Sequence, residues 1–262
     1  MLSKVLALAI FMASTQAFTI KISPKAKNPN IGFRSQKTSG LIFLHGLGSP
    51  APAPELGLSM LRTKITAPKA PKQPVGIYGN AVVRSWFNFW QMPGVSVTSP
   101  NVSESKEDLE RAMKWVEGEI EKMIQEGIPS ENIVLIGGSQ GGALTLYTAL
   151  HTKYKIGGFI PLVAWQPLLT IEPPSSLPVP ANKDTPIFHM NGALDSIVPL
   201  ICGWKTSAAF EQVFTRYELK NVMSTHNPIT PLTIPKIYCW LKNNVPGMAF
   251  SNVSPLSSLP CY

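Results

Sequence analysis

Hydrophobic and polar residues fall into short blocks, and the period of each block names an element. Leu41-Ile42-Phe43-Leu44 is a continuous apolar run that stops at His45-Gly46-Leu47-Gly48, the pattern of a buried strand ending in a tight loop. Across residues 105–127 the apolar side chains Leu109, Met113, Val116, Ile120 and Met123 recur at spacings of four and three, with charges between them, which predicts an amphipathic helix. Ser105-x-x-Asp108 supplies a cap for its free N–H groups, and Gly127 and Pro129 end it. Ile133-Val134-Leu135-Ile136 is a second buried strand that runs into Gly137-Gly138-Ser139-Gln140-Gly141-Gly142, and residues 143–151 read as a helix. Further strands are expected over 158–162, 186–191 and 215–222, and helices over 204–214 and 230–244. Parallel strands need crossover connections, which helices supply. The alternation therefore predicts an α/β fold with a mostly parallel central sheet and helices on both faces.

Composition narrows the class. A chain of 262 residues, 44% of them hydrophobic, buries one substantial core and is too apolar to be disordered. Its 25 prolines and 19 glycines follow no period, which excludes a collagen-like chain. The formal charge of +8 suits an anionic partner such as a phospholipid surface, although an ordinary basic surface accounts for it as well. No nucleic-acid-binding module accompanies the charge, so nucleic acid is not expected as a partner. Residues 1–17 carry Lys4, an apolar stretch from Val5 to Ala13 and then Thr15-Gln16-Ala17, the layout of a signal peptide. They predict a secreted protein, or one of the secretory lumen, with a lead-in over residues 18–40 and one domain over 41–262. No later stretch is apolar for long enough to span a membrane. The three cysteines, Cys202, Cys239 and Cys261, allow one disulfide with one thiol left over, and their spacing gives no metal signature. Asn101-Val102-Ser103 and Asn252-Val253-Ser254 are glycan acceptor sequons.

One motif carries chemistry. Gly137-x-Ser139-x-Gly141 lies between a predicted strand and a predicted helix, the setting of a nucleophile elbow; a phosphate-cradling turn is the competing reading. In α/β-hydrolases the acid and then the histidine follow the nucleophile in the chain. Of the four histidines, His45 precedes Ser139, His151 lies on the helix after it, and His189 sits inside an apolar strand, which leaves His226. Asp184, Asp195, Glu172, Glu211 and Glu218 lie between them; Asp195 is the best placed, just past a strand that ends at the same sheet edge. An oxyanion also needs backbone donors. The residue after the nucleophile, Gln140, is one, and the glycine-flanked Leu47 of the 45–48 loop is the other candidate, unless that loop is a plain strand-to-helix turn.

The stretches LIFLHGLG, APKAPKQPV, SWFN, EGIPSENIVLIGGSQGGALTLYTAL and HMNGALDSIVP resemble the acyl-protein thioesterase and lysophospholipase family, the phospholipase/carboxylesterase group of α/β-hydrolases. The resemblance runs from Leu41 to about Leu241. It implies a triad at Ser139, Asp195 and His226, and hydrolysis of long acyl chains from thioesters or lysophospholipids with no metal or organic cofactor. The chain departs from the family at Ser49, where an Asp is usual, and at Gly138, where a Phe is usual. His226 also stands in Ser224-Thr225-His226-Asn227-Pro228, whereas the family's histidine commonly follows Gly and precedes Ser. In the cluster Trp86-Phe87-Asn88-Phe89-Trp90, Trp86 and Phe87 are candidates to line an acyl channel or touch a lipid surface; packing in the core is the competing role. The unusual surroundings of His226 leave a second functional reading, a catalytically silent hydrolase fold that binds lipid or a protein partner.

Overall fold

The computed structural model describes residues 38–49, 60–61, 63–93, 104–227, 229–231, 233–245 and 247–250, all within one unit that spans Ser35–Tyr262. Residues 1–17, most of the 18–40 lead-in, both sequon asparagines and Cys261 lie outside the described residues. In chain order the elements begin with β1 (Ser39–Leu44), β2 (Met60–Leu61), β3 (Thr63–Thr66), β4 (Lys72–Val75), β5 (Ala81–Arg84) and α1 (Lys106–Gln125). They continue with β6 (Ile133–Gly138), α2 (Gln140–His151), β7 (Gly158–Leu162), β8 (Ile187–Gly192), α3 (Leu200–Phe210), β9 (Tyr217–Val222), α4 (Ile234–Asn244) and β10 (Ala249–Phe250).

Six strands form the main sheet in the order β3-β1-β6-β7-β8-β9, every pair parallel. The two short antiparallel pairs, β4 with β5 and β2 with β10, lie outside it. Successive strand residues point to opposite faces, and the continuous apolar runs of β1 and β6 divide accordingly. Ile42, Leu44, Ile133 and Leu135 pack in one cluster with Leu109, Val116 and Ile120 of α1 and with Leu144 and Leu146 of α2. Leu41, Phe43, Val134 and Ile136 pack in another with Ile237, Trp240 and Leu241 of α4. An unbroken apolar run thus marks a strand covered on both faces, and the α/β fold with a mostly parallel sheet that the alternation predicts is the one observed.

Several elements differ from expectation, three of them for a clear physical reason. β1 starts two residues before Leu41, because Ser39 is fully buried and its hydroxyl bonds that of Thr63 on β3 at 2.8 Å. The helix expected over 204–214 occupies Leu200–Phe210, because Pro199 stands at its N-cap and the chain turns after Phe210. β3 was not foreseen, since its sequence TKIT has one large apolar residue, Ile65, and that residue is half exposed on an edge strand. The helix over α1 starts where the cap requires: the Ser105 side chain accepts the Asp108 N–H at 3.3 Å.

Candidate active site

Strand β6 delivers the chain to the sheet's carboxyl edge, and α2 begins one residue later. Ser139 between them has φ 52° and ψ −118°, a backbone conformation that costs free energy in any residue with a side chain. Packing holds it there. A Cβ at Gly137 would lie 2.1 Å from the Gly141 carbonyl oxygen, and one at Gly141 would lie 2.2 Å from that of Leu44. The Ser139 N–H donates to the Leu162 carbonyl at 2.9 Å, and its own carbonyl accepts the Ala143 N–H at 2.9 Å. These contacts leave the Ser139 hydroxyl at the outer point of the turn.

Asp195 follows β8, with a fully buried side chain. Its Oδ1 accepts the N–H groups of Ile197 and Val198 at 2.8 and 2.9 Å, which fixes the carboxylate and turns Oδ2 toward His226. The distance from Oδ2 to His226 Nδ1 is 2.7 Å, and that from His226 Nε2 to Ser139 Oγ is 2.9 Å. A carboxylate only accepts, so the imidazole proton sits on Nδ1 and the Nε2 lone pair faces the serine hydroxyl. The loop that carries His226 lies over the end of β8: Ala193 N–H donates to the Val222 carbonyl at 2.7 Å and Leu194 N–H to that of Ser224 at 3.0 Å. Gly192 permits this approach, since a Cβ there would meet the Thr225 carbonyl oxygen at 2.4 Å. Gly192 is the signal that sequence reasoning passed over.

The other acid candidates lie elsewhere. Asp184 accepts from the Thr215 hydroxyl, Glu172 pairs with Lys106, Glu211 accepts from Ser207, and Glu218 lies on the exposed edge strand. His189 is fully buried and bonds the Tyr217 hydroxyl through Nδ1 at 2.6 Å; burial pushes its pKa down to about 4. His151 packs on Tyr147 at 4.2 Å between ring centroids, and burial lowers its pKa too.

The expected backbone donors are Gln140, which follows Ser139 in the chain, and Leu47, which follows Gly46. Gln140 opens α2, so its N–H is one of those a helix leaves without an internal partner. Gly46 lies against Ser139, with a hypothetical Cβ 3.4 Å from Ser139 Cβ, and Leu47 follows it in a turn closed by Ser49 N–H on the Gly46 carbonyl. Among the described residues no group accepts the Leu47 N–H.

The Gln140 side chain was not foreseen as a structural element. It is fully buried, accepts the Trp86 N–H at 3.0 Å and donates to Ser85 Oγ and the Phe87 carbonyl at 2.8 and 2.7 Å. Trp86 and Phe87 themselves are 3% and 0% exposed. Phe87 packs edge-on against Trp165, and Trp86 packs between His45 and Trp115. The structure therefore gives these two the core role rather than the lipid-facing one; Trp90, at 49% exposure, is the member of the cluster that meets solvent.

The fold and this geometry can be set beside known proteins. Residues 31–243 match the model of the phospholipase/carboxylesterase family. The chain belongs to that family. An acyl-protein thioesterase 1 homolog of Dictyostelium discoideum is 37% identical over 179 residues, covering 65% of this chain and 75% of the relative. Acyl-protein thioesterase 1 of Gibberella zeae is 29% identical, over 81% of this chain and 93% of its own. The crystal structure of Arabidopsis thaliana SOBER1 superposes with a TM-score of 0.68 at 30% identity, covering 79% of this chain and 98% of that one. As a member of the phospholipase/carboxylesterase family the chain is a serine hydrolase of acyl esters or thioesters.

These relatives overturn one expectation. The chain groups with acyl-protein thioesterases, which contradicts its placement as a secreted, extracellular protein. That placement rested on Lys4, the apolar stretch from Val5 to Ala13 and Thr15-Gln16-Ala17, and residues 1–17 precede the family match. Among the described residues no helix is long and apolar enough to cross a membrane, and no group of acidic, histidine or cysteine side chains is arranged to hold a metal. Cys239 is disulfide-bonded, whereas Cys202 is a free, buried thiol whose pKa burial pushes up to about 11.

Proposed function

We propose that the chain hydrolyses long-chain acyl esters and thioesters, lysophospholipids among them, through an acyl-enzyme on Ser139. The observation that carries this reading is the continuous relay from Ser139 Oγ to His226 Nε2 at 2.9 Å and from His226 Nδ1 to Asp195 Oδ2 at 2.7 Å. His226 takes the Ser139 proton as Oγ attacks the acyl carbonyl. Asp195 keeps the imidazole in the working tautomer and steadies the imidazolium. The tetrahedral oxyanion is met by the N–H groups of Leu47 and Gln140, the latter aided by the positive end of α2. Collapse expels the alcohol or thiol, which takes the proton from His226. Water then attacks the ester on Ser139 by the same route and frees the carboxylate.

The relay supports the enzymatic reading over the silent, lipid- or protein-binding one, because a binder has no need of a base aligned on a strained serine. Steady-state hydrolysis of p-nitrophenyl esters and acyl thioesters of graded chain length, with Ser139→Ala alongside, tests the proposal. Turnover that rises with chain length and falls by about 10⁴ or more in Ser139→Ala is expected. Undiminished turnover in that variant would refute the acyl-enzyme.

A further inference from the structure

The reading of Ser139 as nucleophile requires the Leu47 N–H to be aimed, and a set of buried hydrogen bonds around His45 does the aiming. Resting on that reading, we propose that His45 and Trp86 are positioning residues of the oxyanion cradle: together they lock the two peptide planes that set the direction of the Leu47 N–H.

His45 is 4% exposed. Its Nε2 accepts the Ala70 N–H at 2.9 Å, so the ring proton is on Nδ1, which donates to the Gly46 carbonyl at 2.7 Å. In a trans peptide the C=O and the following N–H point in opposite directions, and the described residues contain no cis peptide. Holding the Gly46 carbonyl toward the imidazole thus turns the Leu47 N–H away from it. The preceding plane is held as firmly. Trp86 Nε1–H donates to the His45 carbonyl at 2.8 Å, and its ring packs on the imidazole with centroids 5.1 Å apart. Trp86 is fixed in turn by the Gln140 side-chain oxygen, which accepts its N–H at 3.0 Å. The two proposed donors, Leu47 N–H and Gln140 N–H, are therefore tied to one another through Gln140, Trp86 and His45.

Only the neutral imidazole can both accept from Ala70 and donate to Gly46. Burial acts against the charged form, as does the nearby Arg84 guanidinium, which holds the other side of the same residue by donating to the Ala70 carbonyl at 2.9 Å. The arrangement also gives a physical role to the APKAPKQPV stretch, which supplies the buried Ala70.

The test uses His45→Gln, which keeps an acceptor for Ala70 but loses the donor to Gly46, His45→Asn, whose amide N–H sits where Nδ1 was, and Trp86→Phe, which keeps a ring but loses the indole N–H. Two quantities are read: kcat and KM on a short soluble p-nitrophenyl ester, and the affinity for a trifluoromethyl ketone. Ser139 Oγ adds reversibly to that ketone, its proton passing to His226 and the ketone oxygen becoming the oxyanion. His45→Gln is expected to lower kcat by about tenfold to a hundredfold, with KM within about threefold and ketone affinity falling by the same factor as kcat/KM. His45→Asn is expected to recover at least about fivefold of that loss, and Trp86→Phe to lose about tenfold. The proposal is overturned if His45→Gln and Trp86→Phe both stay within about threefold of the parent, if kcat falls while ketone affinity does not, or if His45→Asn does no better than His45→Gln. Should His45→Gln fail to fold, Trp86→Phe decides alone. Ser139→Ala separates the two readings: full activity there removes the nucleophile itself, whereas an inactive Ser139→Ala beside unaffected His45 and Trp86 variants removes this proposal only.

Discussion

The turn that carries Ser139 and the loop that carries His226 meet across 2.9 Å, yet they are built on opposite principles. The turn lies at the centre of the sheet: every residue of β6 and α2 is buried except Gly138 and His151, and added Cβ atoms at Gly137 and Gly141 would meet backbone at 2.1 and 2.2 Å. Packing leaves the chain no other course there. The loop hangs from β9, an edge strand with three of its six residues exposed, and residues 223–227 are themselves exposed or half-buried. A few polar bonds hold it: Ala193 to Val222, Leu194 to Ser224, and His226 to Asp195. Ser139 is thus fixed by the core, and His226 by hydrogen bonds laid over Gly192. Substitution tolerance should follow that division.

The largest effect is expected at His226, the loop residue proposed as the base. His226→Ala removes the proposed base and should lower kcat/KM by about 10⁴ or more with its thermal unfolding little changed; steady-state kinetics beside a melting curve would show both, and a loss under tenfold would contradict the assignment. Next comes the turn. Gly141→Ala places a methyl against the carbonyl oxygens of Leu44 and His45 at 2.2 and 2.7 Å, and urea unfolding should report a loss of about 3 kcal/mol or more, or no folded protein at all. Met223→Ser, in the loop at 79% exposure, should stay within about 0.5 kcal/mol of the parent in the same titration. Equal losses in the two variants would break the comparison.

A smaller effect concerns pH. His189 has a folded pKa of about 4 against an ordinary 6.5, so between those values the unfolded chain binds more protons than the folded one and stability falls as the solution is acidified. The contribution is intact above about pH 6.5 and is lost progressively toward pH 4. His45 and His151, also lowered by burial, act with the same sign. The melting temperature should therefore drop from pH 7.5 to pH 4.5, less steeply in His189→Asn; equal slopes would show that His189 is not a source of the acid sensitivity.

What could be read from the chain follows the same division. β1, β6 and the elbow glycines were legible because an unbroken apolar run implies a strand covered on both faces, and because glycine beside a nucleophile has a steric reason. β3 was hidden, since an edge strand needs only one covered face and TKIT shows no alternation. The start of α3 was displaced because Pro199 fixes its N-cap, a stronger signal than the apolar pattern within the helix. His226 came by elimination and not by pattern, because what holds its loop is Gly192 on a different strand. The reach of the Gln140 side chain to Trp86, 54 residues away in sequence, leaves no local mark either. Trp86 and Phe87 stayed ambiguous for a related reason: an aromatic pair in a short irregular segment has no period to say which way it faces.

The proposed reaction depends on the activation of Ser139 by His226 and Asp195. Labelling with a fluorophosphonate, followed by peptide mapping in the parent, His226→Ala and Asp195→Asn proteins, tests it most directly. Rapid labelling of Ser139 alone in the parent, reduced by orders of magnitude in both folded variants, is the predicted result. A label on another residue, or labelling of Ser139 at an undiminished rate without His226 or the Asp195 carboxylate, would contradict it.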